Sequence, residues 1–271
     1  MSSLSVPAAA AGASATRQAR LGPDTARAIP FGRLCRVELR KQLDTRAGAW
    51  LLGIIALVNV GLIALLLFTA EPAGLTWSEL TSAATLGQMF LLPLIGIMAA
   101  TSEWSQRTAL TTFALEPRRI RVNLAKVVAA ASLGLAVMVV ALAAGAVSNI
   151  VGVVWRDGDG SWTMDWPVLT GMILALLLLV AQGVAFGLAF LSTPVAIVAY
   201  LLLPTVWSVL TLFVDSLREP AEWLDINLTL LPLMAGEMTT SGWAQLAVSI
   251  AVWVGLPLAF GLWRTARRDI S

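Results

Sequence analysis

No histidine occurs anywhere in the 271 residues, and cysteine occurs once, at Cys35. Haem ligation by histidine, zinc sites of the usual His/Cys kinds and His-dependent nucleophile triads therefore have no side chains to build on. A disulfide within the chain is excluded as well. Charge is scarce: Asp, Glu, Lys and Arg make up 13% of the residues, against about 25% in an average soluble domain. Also missing are a G-x-x-x-x-G-K-[ST] phosphate loop, a G-x-S-x-G elbow and an H-E-x-x-H pair, which removes nucleotide binding by the first route and the hydrolase chemistries of the other two. What is abundant is apolar surface, with 58% of residues hydrophobic and a mean hydropathy of +0.82. Such a chain is an integral membrane protein. At roughly 20 residues per spanning helix, the spans use most of it and leave little for a soluble catalytic domain.

A charge costs about 2.5–3.5 kcal/mol at the centre of a spanning helix, so charge-free windows locate the spans. Five stand out, at 47–70, 80–102, 127–155, 166–214 and 238–263. The fourth is long enough for two helices and divides near Leu191, Ser192, Thr193 and Pro194, because proline lacks an amide donor and disfavours helix in the residue before it. Six spans result, at about 47–70, 80–102, 127–154, 167–190, 194–214 and 243–263.

Sixteen of the eighteen Lys and Arg fall in the N-terminal segment, the loop between the second and third spans, and the C-terminal tail. Ten of the sixteen acidic residues fall in the other three loops. Both termini are therefore expected in the cytoplasm, with the chain in the cell membrane. Trp50, Trp77, Trp104, Trp155, Trp162, Trp166, Trp243 and Trp263 lie at or near span ends, where an amphipathic ring suits the headgroup zone. Residues 1–30 are rich in Ala, Ser, Gly and Pro and lack the pattern of a cleavable signal. They are expected to be a disordered cytoplasmic tail, and 264–271 a basic cytoplasmic one.

The six windows contain no Asp, Glu, Lys or Arg, which weighs against transport powered by ions moving through the chain itself. Asn59, Gln88, Asn149 and Gln182 are read as bonds between helices, with a ligand contact as the sharper alternative. Gly183 and Gly187 form a small-xxx-small pair that allows close helix approach. Asp157, Asp159 and Asp165 belong to a Gly-rich turn exposed to solvent rather than to a metal site.

Two basic segments remain. Residues 31–46 gather Phe31, Leu34, Cys35, Leu39 and Leu43 on one side of a helix and Arg33, Arg36, Arg40 and Asp44 on the other, the pattern of a helix lying at the membrane surface. In the loop 103–126, Ala109, Leu110, Phe113 and Ala114 fall at helical spacing, Pro117 ends that helix, and Arg118, Arg119 and Arg121 follow. A Leu/Phe stripe outside the bilayer needs cover, either from the chain's own spans or from a docked soluble subunit. On the other side, Leu228, Leu230, Leu231, Leu233 and Met234 make 215–242 too apolar for a solvated loop, and an interfacial or re-entrant helical piece is expected there.

These residues carry a resemblance. Glu38-Leu-Arg-Lys41 with Arg46, then Thr101-Ser-Glu-Trp104, Thr108, Pro117 with its arginines, and Lys126 occur in order ahead of and between the first spans. In this the chain resembles the permease subunits of type-2 ABC exporters, the ABC-2 membrane family, over nearly its whole length after residue 30. Trp104 matches the aromatic that usually follows the Glu in that family, whereas Arg107 stands where a glycine usually precedes the threonine.

The resemblance implies an all-α protein with six transmembrane helices, a connecting helix over 31–46 with Glu38, Lys41 and Arg46, and a coupling helix over about 106–115. Glu103, Trp104, Thr108, Leu110, Phe113, Pro117 and Arg118 would couple the chain to a separate ABC ATPase subunit that carries ATP and Mg. This chain would hold no cofactor, metal or catalytic residue, would not be an enzyme by itself, and would bind membrane lipids but no nucleic acid. A second permease chain, identical or paralogous, would complete the pathway. Met89, Phe90, Trp207 and Phe213 are the expected wall of a cargo cavity that lies between the two permease chains and is lined by their second and fifth spans, and whose lack of charge suits a lipophilic or amphipathic drug, lipid or peptide moved outward. The reading from a different class is a membrane scaffold or lipid-modifying enzyme with no ATPase partner.

Overall fold

The computed structural model describes residues 29–267. The chain divides into two units, Met1–Pro30 and Phe31–Ser271, and all the helices described here belong to the second. They are α1 (Phe31–Asp44), α2 (Arg46–Thr69), α3 (Trp77–Ser105), α4 (Ala109–Leu115), α5 (Arg119–Arg156), α6 (Trp166–Phe190), α7 (Thr193–Phe213), α8 (Arg218–Leu224), α9 (Ile226–Met234) and α10 (Thr240–Arg267). No strand occurs among the described residues. Six of the helices, α2, α3, α5, α6, α7 and α10, are long and apolar enough to cross a membrane, and the chain is a multi-pass membrane protein.

Local chemistry sets the boundaries. The Thr45 hydroxyl accepts from the Gly48 amide at 3.2 Å and caps α2, so Arg46 opens the first span and does not belong to the surface helix. Thr76 caps α3 in the same way through the Glu79 amide. The hairpin between α6 and α7 turns at Leu191, which adopts a left-handed φ of 55°, with Pro194 in the first turn of α7 where a missing amide costs nothing. α5 is much longer than its charge-free window because the helix continues through Arg119, Arg121 and Lys126, whose charges find partners in the protein. α10 passes through a π-helical turn at Ala251–Gly255, next to Pro257, which cannot donate to the ladder. It runs on to Arg267, so the expected basic tail starts as helix, and 268–271, like 1–28 of the expected disordered tail, lie outside the described residues.

α3 and α6 form the centre. Of their most apolar stretches 67% and 61% are buried, against 22% for α2, α7 and α10, so the latter three lie at the periphery of the bundle. The central crossing depends on glycine: a Cβ on Gly183 would lie 2.2 Å from the Pro93 carbonyl oxygen, and one on Gly187 would lie 2.6 Å from the Ala100 Cβ. The small-xxx-small pair is thus the α3 contact. Gly183→Val is expected to lose at least about 3 kcal/mol, read as a fall in the thermal unfolding midpoint in detergent.

Polar side chains tie α2 to α3 and α5 to the loop after it. With its amide oriented to suit its neighbours, Asn59 of α2 donates to the Ala84 carbonyl at 2.7 Å and accepts from Gln88 Nε2 at 3.0 Å. Asn149 donates to the carbonyls of Gly160 and Ser161 at 3.4 and 3.2 Å, fixing the loop after α5. Gln182 behaves differently, since its Nε2 has no partner among the described residues.

Arginines close three helix ends where carbonyls would otherwise be orphaned. Arg156 donates to Leu67, Phe68 and Ala70 at the end of α2, Arg264 to Ala189 at the end of α6, and Arg119 to Thr265 at the end of α10. The segment expected to be interfacial or re-entrant consists of α8 and α9. α9 buries Ile226, Thr229, Leu230 and Leu233, and the Leu233 carbonyl sits where a Cβ on Gly171 of α6 would fall.

Candidate functional site

At one end of the bundle, α1 lies against the end of α3 and the start of α5. Four charges from these three helices meet there. Glu38 Oε1 accepts from Lys41 Nζ at 2.7 Å, and its Oε2 from Lys126 Nζ at 2.8 Å. Glu103 Oε1 lies 3.1 Å from Lys41 Nζ and 3.2 Å from Lys126 Nζ. Lys126 also donates to the Ala99 carbonyl at 3.1 Å, so its three protons have three acceptors.

The two lysines differ sharply in exposure, 1% of the side chain for Lys126 and 40% for Lys41, while both carboxylates are buried. Burial works against the charge on Lys41, but Glu38 and Glu103 outweigh it and hold the ammonium above the ordinary lysine value. Because that value is raised on folding, the contribution of Lys41 to stability is complete below its ordinary pKa of about 10.4 and fades only at higher pH. Cys35, on the same helix, is half-buried, and burial raises its thiol, which disfavours the reactive thiolate.

The helices α3 and α5 extend past the charge-free windows 80–102 and 127–154 and take in the charges that border them. Glu103 and Lys126 lie within the helices α3 and α5 and are buried. They are tolerated because they are paired, Glu103 in the last turn of α3 and Lys126 about two turns into α5.

α4 follows α3 after a tight turn at Arg107, whose φ is 56°. This is the left-handed conformation that glycine adopts without steric cost, so an arginine is strained there. Arg107→Gly is expected to stabilise the chain by about 1 kcal/mol, seen as a higher thermal midpoint. The helix itself is shorter than the expected 106–115, because Gln106 ends α3 and Thr108 precedes the first turn of α4.

The Leu/Phe stripe of α4 is divided by the fold. Phe113 is buried beside Trp104, with ring centroids 6.3 Å apart, and the Arg119 guanidinium lies 5.2 Å from its ring centroid. It anchors α4 to its own chain and does not face outward. Leu110 and Leu115 are exposed, and Pro117 and Arg118 beside them are exposed too. Glu116, which sequence reading did not single out, is buried, pairs with Arg121 at 3.3 Å and accepts from the Arg118 amide at 3.4 Å, holding the start of α5.

The four residues expected to line a cavity between two chains stand differently within this one. Met89 is buried in the core, whereas Phe90 and Phe213 project from the bundle with 71% and 81% of their surface exposed. Trp207 is half-buried, and its indole nitrogen has no partner among the described residues. No group of three metal-ligating side chains occurs among the described residues.

Of the connecting-helix residues, Glu38 and Lys41 belong to the charge cluster and Arg46 is exposed outside it. Lys126, which the sequence offers among the residues that carry the resemblance but not as a site residue, is the fourth member of the cluster. Comparison with models of known protein families gives no match, and comparison with curated proteins gives none either.

Proposed function

We propose that this chain is the permease subunit of an ATP-driven exporter of the type-2 ABC class, energised by a separate ATPase subunit. The observation that carries the reading is that α4, with Leu110 and Leu115 bare, is joined by a tight turn to a span whose end is tied by buried charges to the surface helix and to a second span. A push on α4 reaches α3 directly through that turn, and α1 and α5 through Glu103, Lys126 and Glu38. Packed helices transmit such shifts as rigid bodies.

In this reading the charged end faces the cytoplasm and the protein lies in the cell membrane, with both termini inside. ATP and Mg are held by the partner, and the chain is not an enzyme by itself. Two permease chains, identical or paralogous, form the pathway. Phe90 and Phe213 stand on outer surfaces where a second chain can meet them, while Met89 is withdrawn from the wall by its burial. The cargo is lipophilic or amphipathic and moves outward.

Purification of the tagged chain from its own membranes in mild detergent tests this. A stoichiometric soluble subunit that hydrolyses ATP is expected. Recovery of the chain alone, without ATP hydrolysis even at low salt after crosslinking, would overturn it.

A further inference from the structure

Beside the charge cluster, α1, the start of α2, the end of α3, α4 and Thr193 enclose a cavity of about 520 Å³. This lies within the range of roughly 300–1,000 Å³ found for small-molecule sites. Its lining changes along α3. Ile95, Met98 and Ala99 border it on the side toward the middle of the bundle, and Ser102, Ser105 and Gln106 follow toward the charged end, over about 15 Å at 1.5 Å per residue. α4 continues the polar part with Thr108, Thr111 and Thr112 just before and within a helix that carries no charge. The cavity is thus graded in the same direction as the bilayer, from apolar to hydroxyl-bearing.

The charges at its wall, Glu38, Lys41 and Glu103, are paired with one another or with Lys126. Lys126 lies off the lining and holds both carboxylates from behind the wall, so the cluster of two carboxylates and two ammonium groups is neutral as a whole and offers neither an anionic nor a cationic ligand a free counter-charge. Gln42, on the same wall, is 95% buried by its 5% exposure, and neither its Nε2 nor its Oε1 has a hydrogen-bond partner among the described residues. A buried amide without a partner is costly to keep. A ligand head at this wall gives it one once the flexible side chain turns toward the cavity.

We propose that this cavity binds one uncharged amphiphile, with its apolar body against Ile95 and Met98 and a hydroxyl- or amide-bearing head among the α4 threonines and Gln42. The inference does not rest on an ATPase partner, because every residue it uses belongs to this chain. A neutral lipid of the bilayer and a water-soluble amphiphile share this chemistry.

The test uses the full chain in phosphatidylcholine nanodiscs and a diazirine-bearing octanamide, with crosslinked sites mapped by mass spectrometry. Saturable labelling of residues 95–112 is expected, displaced at least about tenfold better by octanamide or 1-monooctanoylglycerol than by octanoate or octylammonium. Gln42→Leu is expected to lower the labelling about tenfold while the ligand-free chain keeps or raises its thermal midpoint, since an unpartnered amide has been removed. Thr111→Val, at an exposed position, provides a second variant that folds as the parent and labels more weakly. Displacement by dioleoylglycerol placed in the nanodisc identifies a bilayer lipid as the source, and displacement by the short-chain compounds alone identifies a soluble one. Labelling that does not saturate, that falls elsewhere, that charged competitors displace equally, or that both variants leave unchanged would overturn the proposal.

Discussion

Lys126→Met is expected to lose about 3–5 kcal/mol of stability, the usual cost of removing one partner from a buried ion pair. The physical cause is the company that Lys126 keeps. Its ammonium holds two buried carboxylates and the Ala99 carbonyl, and methionine fills the space without satisfying any of them. Glu38 and Glu103 would then rely on Lys41 alone, and α1 would loosen from α3 and α5. Thermal unfolding of the purified chain checks this. Lys41→Met is the comparison: its side chain is 40% exposed, so solvent can replace it, and a loss of no more than about 1 kcal/mol is expected. Combining Lys126→Met with Glu38→Gln is expected to cost less than the sum of the two, because the second change removes one of the two carboxylates that the first left sharing Lys41.

The second large effect is on association. If the chain is the proposed permease, replacing Leu110 and Leu115 together by Asp is expected to abolish recovery of the ATPase subunit while leaving the stability of the chain within about 0.5 kcal/mol of the parent, as for exposed positions generally. Phe113→Asp is expected to do the opposite first. A carboxylate forced in beside Trp104 at a buried site costs several kcal/mol, and the chain itself loses its fold around α4. A co-purification assay paired with thermal unfolding separates the two outcomes. Normal ATPase recovery with the Leu110/Leu115 variant would remove α4 from the proposed coupling surface.

The spans were readable because each rests on a local rule. Charge-free length fixed where helices can cross, and the break at Leu191 followed from Pro194. The small-xxx-small spacing of Gly183 and Gly187 also marked a true close approach. The charge cluster was not readable in the same way. Lys41 and Glu103 stand 62 positions apart and Lys126 and Glu38 stand 88 apart, so no periodicity links them. Lys126 has the appearance of any basic residue opening a span, and only the packing of α1 on α5 shows what it holds.

The orientation of Phe113 was hidden for another reason. α4 has only seven residues, about two turns at 3.6 residues per turn, and apolar side chains occur on both of its sides, so pattern alone cannot choose the inward one. Met89 and Phe90 show the same limit, adjacent in sequence yet one in the core and the other on the surface.

The arginines that close helix ends impose an order on biogenesis. Arg156 reaches the Leu67 carbonyl from 89 positions further along the chain, and Arg264 reaches Ala189 from 75. A nascent α2 therefore leaves the ribosome with its last carbonyls unsatisfied until α5 has been threaded, and α6 waits likewise for the final span. During synthesis those ends must be sheltered by water, lipid headgroups or the insertion machinery, and a chain cut short before Arg264 would arrive in the membrane with one of its two central helices still open.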